Sequence, residues 1–140
     1  MIDNIVDVKT LYEAPKNGFA YWSDYDPMIK AFGNCVVQVD SDDFSGDTLV
    51  LYDNDGAIGY LHFGWGSCSG CDALQGCNTY EELQELCDHL QNQIIWFSDV
   101  TAALDWFESH DWEGDYLDRG LMIKFFAKAL GYLYRRKYYG

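Results

Sequence analysis

An α+β domain is the fold class this sequence predicts: an antiparallel meander of three or four strands with C-terminal helices packed on one face. Three observations predict it. Runs rich in β-branched and aromatic residues, divided by turn residues, occupy residues 35–65. Apolar residues at helical spacing fill residues 79–134, and strands first with helices after is the α+β order. The third is bulk: the 140 residues are 49% hydrophobic and 17% aromatic, which supplies ample core. A chain of this length buries about two-thirds of its unfolded surface. Nothing in it has the length of a linker, so residues 1–140 read as a single compact domain.

The elements follow in order. Pro15-Lys16-Asn17-Gly18 reads as a turn, because Pro presets φ and Asn-Gly accepts positive φ. Residues 26–33 read as a short helix, with Asp26 as N-cap, Pro27 in the first turn and Gly33 past the end. Three strands are expected at residues 35–39, 48–52 and 57–65. An acidic turn joins the first two, and Asp53-Asn54-Asp55-Gly56 makes a hairpin turn between the others. Thr79-Tyr80-Glu81-Glu82 is a capping box ahead of Leu83, Leu86, Cys87, Leu90 and Ile94, the apolar face of a helix. Ile94-Ile95-Trp96-Phe97 reads either as the end of that helix or as a short edge strand. Ser98 is the expected cap of a helix that turns Val100, Ala103, Leu104 and Phe107 inward. A loop through Trp112-Glu113-Gly114-Asp115 leads to a last helix from about residue 117 to 134, docked through Phe125, Phe126, Leu130 and Leu133.

Charge is unevenly distributed. The net charge is −14, and between Lys30 and Arg119 there are 18 acids and no Lys or Arg. From Arg119 onward the balance reverses, with six basic residues and no acid. Phosphate contacts need cations, so direct nucleic-acid binding by the acidic body is disfavoured. No apolar run approaches the roughly 20 residues of a membrane span. Met1-Ile2-Asp3-Asn4-Ile5-Val6-Asp7 lacks the basic n-region of a secretory signal. With five cysteines, an odd number, the expectation is a reducing cytoplasm with free thiols or a metal site.

The cysteines are the most chemically suggestive residues. In Gly66-Ser67-Cys68-Ser69-Gly70-Cys71-Asp72, small residues around a C-x-x-C would let two thiolates converge as tetrahedral zinc requires. Cys77 is the candidate third ligand, with Cys87, His89 or His62 as fourth, but a second C-x-x-C is missing. Buried hydrophobic thiols are the alternative, and they suit Cys35 and Cys87. Thiol catalysis is disfavoured because Asp72, Glu81, Glu82 and Glu85 would raise the thiol pKa.

Other constellations weigh less. Asp53-Asn54-Asp55-Gly56 fails as a calcium loop: with Gly56 at position 6, positions 1 and 12 fall on Leu51 and His62. His110-Asp111-Trp112-Glu113 sets His110, Asp111 and Glu113 beside an aromatic, the raw material of a small hydrolytic site. A histidine ending a helix is more commonly a dipole partner. Lys124, Lys128 and Arg135 make a basic stripe on the last helix, expected to face solvent or the chain's own carboxylates rather than a membrane.

The stretch from Gly59-Tyr60-Leu61 through Gly66-Ser67-Cys68-Ser69-Gly70-Cys71-Asp72-Ala73-Leu74 covers, with Trp96-Phe97 and Asp111-Trp112-Glu113-Gly114, about the middle half of the chain. It resembles a group of small uncharacterised phage and bacterial proteins. The group has no established activity, so no residue role is carried over. The resemblance implies a phage or mobile-element origin, in which small acidic proteins often inhibit host defence.

The leading expectation is therefore a binding protein with no assigned catalytic residue and no required cofactor. Its acidic surface would meet the basic surface of a partner protein, one that normally holds nucleic acid. A domain of this length has a diameter of roughly 37 Å, over which duplex DNA carries about 22 phosphates, comparable to the 18 acids. The expected contact residues are Asp40, Asp42, Asp43 and Asp47 in the strand turn, Glu81, Glu82 and Glu85 on the helix, and Asp111, Trp112 and Glu113. A zinc-stabilised domain built on Cys68, Cys71 and Cys77 is the second reading, and the small hydrolytic enzyme the third.

Overall fold

The β-branched and aromatic runs in residues 35–65 become three strands of a four-stranded antiparallel sheet in the computed structural model, which describes residues 5–14, 22–42, 45–66, 72–115 and 117–140. Its strands are β1 (Cys35–Asp40), β2 (Gly46–Asn54), β3 (Ala57–Trp65) and β4 (Ile95–Phe97), adjacent in chain order. Four α-helices accompany them among the described residues: α1 (Asp26–Ala31), α2 (Tyr80–Gln93), α3 (Val100–Ser109) and α4 (Arg119–Tyr139). The expected turn at Pro15-Lys16-Asn17-Gly18 lies outside the described residues.

β2 explains the layering, because every residue from Thr48 to Asp53 is buried. A strand buried on both sides must be covered on both sides. Val50, Tyr52, Leu61 and Phe63 pack with Met28, Ile29, Leu83 and Leu90, so α1 and α2 cover one face. Leu49, Leu51, Ile58 and Tyr60 pack with Leu104, Phe107, Phe125 and Leu133, so α3 and α4 cover the other. The last two helices do share one face, as expected; α2 lies on the opposite face. We call the α1/α2 side the first face and the α3/α4 side the second.

Local signals set the boundaries. Asp55 (φ 53°) and Gly56 (φ 99°) both adopt positive φ, the requirement of a two-residue hairpin turn whose twist matches its strands. Thr79 Oγ1 accepts from the Glu82 N–H at 3.1 Å, while the Glu82 carboxylate reaches back to the Asn78 N–H at 2.8 Å. The capping box is thus present, shifted by one residue on its return bond. Asp99, not Ser98, caps α3, accepting from the Ala102 N–H at 2.8 Å. Tyr25 occupies the N-cap position of α1 without a side-chain cap bond, and Asp26 is the first helical residue. Ile94 ends α2, and the edge-strand reading of the next three residues is the one realised. A Cβ on Gly59 would lie 2.8 Å from the Trp96 ring, so only glycine lets the indole lie across β3.

α4 begins at its cap Asp118, which accepts from the Leu121 N–H at 2.9 Å, and runs past the expected end at 134. Leu121, Phe125, Ala129 and Leu133, four residues apart, form its buried stripe, whereas Phe126 and Leu130 are half-buried beside it. Among the described residues, no helix is long and apolar enough to cross a membrane.

Candidate acidic cleft

Strand alternation puts Gln38 and Asp40 on the first face of β1, and this parity begins the site. Gln38 Nε2 donates to Asp26 Oδ1 at 3.2 Å and to both oxygens of Asp40 at 3.3 Å. Thr48, opposite Asp40 on β2, donates its hydroxyl to Asp40 Oδ1 at 2.6 Å. Trp65 Nε1 in turn donates to Thr48 Oγ1 at 3.0 Å. Two carboxylates from α1 and β1 are therefore held near each other by an amide and a hydroxyl.

A third carboxylate lies at the far wall. Asp72 is 4% exposed and accepts from the Tyr25 hydroxyl (2.8 Å), the Gly66 N–H (3.0 Å) and the Gln75 N–H (3.0 Å). Tyr25 accepts from the Leu74 N–H at 3.2 Å, which fixes the ring between α1 and the turn after Asp72. Burial first, and then the hydrogen bond to Asp72, push the Tyr25 phenol up, so it stays a donor. Between these walls is an open cleft of about 310 Å³, lined by Asp24, Asp26, Asp40, Asp72, Tyr25 and Trp65 among others. Among the described residues that line it there is no Lys, Arg or His. Neutral donors thus hold these carboxylates, and a cleft lined by one sign of charge focuses a negative potential. Asp40 and Ser41 also line a second groove, of about 400 Å³, together with Asp42, Asp47, Asp118 and Lys124. The two form one acidic edge at the β1–β2 turn.

The expected contact residues divide. Asp40, Asp42 and Asp47 lie along this edge, and Asp43 lies outside the described residues. Asp47 turns to the second face and meets His62 Nε2 at 2.8 Å. Glu81 and Glu85 are exposed on α2, and Glu82 is engaged in capping. Asp111 and Glu113 are exposed, but Trp112 is 7% exposed and donates its indole N–H to the Phe107 carbonyl at 2.9 Å. Its size and apolar rings place it in the core, and the surface there belongs to its neighbours. Asp24, Asp26 and Asp72, which complete the cleft, did not emerge from the sequence as contact residues. The Gln38-x-Asp40 alternation was the signal for one wall.

The other two constellations are resolved less fully. Cys68 and Cys71 lie outside the described residues, and among the described residues no group of three or more His, Cys, Asp or Glu is arranged to hold a metal. Cys77 is buried with Sγ 3.3 Å from the Ala73 carbonyl. Burial, then Glu82, Asp72 and Glu85, raise its pKa, the direction expected from its acidic neighbours. Cys87 is buried in the first-face core, and burial pushes its thiol up to about 12. His110 stacks on Trp106 with ring centroids 4.1 Å apart and meets Trp112 edge-on, so it is built into the aromatic cluster of the second face.

Comparison with family models, with curated proteins and with solved structures finds no match. The functional reading rests on the geometry above.

Proposed function

We propose that this protein is a binding protein whose acidic edge engages a basic surface of a partner protein, excluding nucleic acid from that surface. The observation that carries the reading is the cleft: carboxylates from α1, β1 and the Asp72 turn line it together, and among the described residues their hydrogen-bond partners are neutral groups. Among the described residues the lining holds four carboxylates and no cation, and like charges repel. An arginine or lysine from outside would relieve that repulsion, and Trp65 and Tyr25 line the same cleft. Asp42 and Asp47 extend the same field along the β1–β2 turn. Within this proposal the protein acts in the cytoplasm, where Cys35, Cys77 and Cys87 stay reduced. A phage-type inhibitor of a host defence or nucleic-acid-binding protein is its finer form.

The experiment is affinity retention from host lysate at low salt, followed by competition with duplex DNA. A specific basic protein should be retained, released by salt, and unable to hold DNA and this protein together. D40N/D42N/D47N should lose most of the retention, because Asn keeps the turn's acceptors and removes the charges. Unchanged retention by that variant, or a ternary complex with DNA, contradicts the proposal. The set E81Q/E82Q/E85Q tests the α2 acids in the same way.

A further inference from the structure

Two of the chain's cations, Lys128 and Arg135, lie together on α4 beside β1. β1 is an edge strand, and α4 runs beside it over the second face. Between them is an open groove of about 500 Å³, lined by Val36, Val37 and Gln38 from the strand and by Lys128, Gly131 and Arg135 from the helix, among others. Lys128 and Arg135 are exposed, and among the described residues neither makes an ion pair or a side-chain hydrogen bond. In a chain of net charge −14, two uncompensated cations flanking one groove call for a ligand of opposite sign.

The strand supplies the second half of the site. The Ser41 N–H donates to the Asp47 carbonyl at 3.0 Å, which marks that pair as hydrogen-bonded in the antiparallel ladder. The register then makes Val39↔Leu49 and Val37↔Leu51 the next such pairs. The main-chain N–H and C=O of Gln38 therefore point away from β2, into the free edge. The opposite edge strand, β4, has only three residues. β1 is the longer open edge, and unpaired edge groups are a template for another strand.

We infer that this groove takes an extended acidic segment of a partner protein, added as a fifth strand beside β1 with its carboxylates toward Lys128 and Arg135. The spacing fits. Seven residues of helix separate the two cations by about 10 Å along the axis. Side chains on one face of a strand repeat every ~7 Å, so acids two residues apart fall within reach of two long, flexible cationic stems. Main-chain hydrogen bonds would give affinity and the charge pairs orientation, as in other strand additions. A peptide suits the groove better than nucleic acid. An oligonucleotide brings a phosphate at each ~3.4 Å and would meet the chain's large negative charge with two cations to offset it.

The test uses the whole protein and a fluorescein-labelled peptide of alternating valine and glutamate, read by anisotropy. Controls are the valine–lysine counterpart, the same acidic peptide N-methylated at alternate residues, and oligothymidine. The acidic peptide should bind, with amide NMR shifts confined to residues 35–40 and 127–135. K128Q/R135Q, checked for an unchanged melt, should bind about tenfold more weakly, as should the N-methylated peptide to the wild type. Four results would overturn the inference: no binding, equal binding by the double variant, equal binding of the N-methylated peptide, or tighter binding of oligothymidine. A dimer of this protein that K128Q/R135Q dissociates would overturn it too, by assigning the groove to a second copy.

Discussion

Arg136 Nε donates to the Asp53 carboxylate over 2.6 Å, joining the last turns of α4 to the β2–β3 hairpin 83 residues earlier. Tyr132 donates to the same oxygen at 2.5 Å, and the Gly56 N–H donates to the other at 2.8 Å. Asp53 is 5% exposed. Burial alone would raise its pKa, but the Arg136 and Tyr132 hydrogen bonds, the Gly56 N–H and the guanidinium charge outweigh it and hold the carboxyl at about 2. The last basic helix is thus partly neutralised inside the molecule, which separates Arg136 from Lys128 and Arg135, neither of which makes an ion pair among the described residues.

Asp53→Asn should cost about 2 kcal/mol near neutral pH, since Asn keeps an acceptor for Gly56 and loses the charged pair. The sign of the pH dependence follows from the lowered pKa. Stability from this carboxylate is present above the ordinary value of 3.8 and is lost as pH falls through about 2. Denaturant melts of wild type and variant should therefore differ at pH 7 and converge toward pH 2. A constant gap across that range would show that Asp53 acts through packing alone.

The two phenylalanines of α4 should separate clearly. Phe125 is 1% exposed and contacts Tyr60 and Phe107, so Phe125→Ala should cost about 3–5 kcal/mol. Phe126 is half-buried and meets Trp112 at 4.8 Å, so Phe126→Ala should cost about half as much. Chemical melts of both variants measure this, and the reverse order would mean that α4 is rotated on the sheet.

Thiol labelling should follow burial. With its thiol pushed up to about 12, Cys87 should resist alkylation at pH 8 in the folded protein and react fully once denatured. Cys77, raised in the same direction, should behave likewise. Because these pKa values are raised, the associated stability is complete below about 8–9 and declines as pH rises toward the folded values. Peptide mass mapping after a short alkylation pulse reads the two sites directly.

Much of this architecture is local, and local features are legible in a sequence. The Asp55-Gly56 turn, the Thr79 cap and the β-branched strands follow from φ preference, hydrogen-bond chemistry and strand propensity. Periodicity told which side of α2 is apolar but not which face of the sheet it covers, because helix phase carries no information about layer. Trp112 was misplaced for a different reason: its acidic neighbours Asp111 and Glu113 marked the segment as surface, yet a short 3-10 turn directs the indole inward. The cleft was the least visible feature. Asp26, Asp40 and Asp72 are distant in sequence, and only the paired parity of Gln38 and Asp40 hinted at a shared wall.

The acidic cleft is tested most directly by titrating an arginine-rich peptide into wild type and D24N/D26N/D40N, by anisotropy, between ~50 and ~300 mM salt. These Asn residues keep the acceptors for Asp26 N–H, Gln38 and Thr48 while removing three charges. The wild type should bind at low salt and weaken steeply as salt rises, and the variant should bind about tenfold more weakly with a shallower salt dependence. Equal affinity of the two proteins, or a wild-type affinity that does not change with salt, would contradict the cleft as the binding surface.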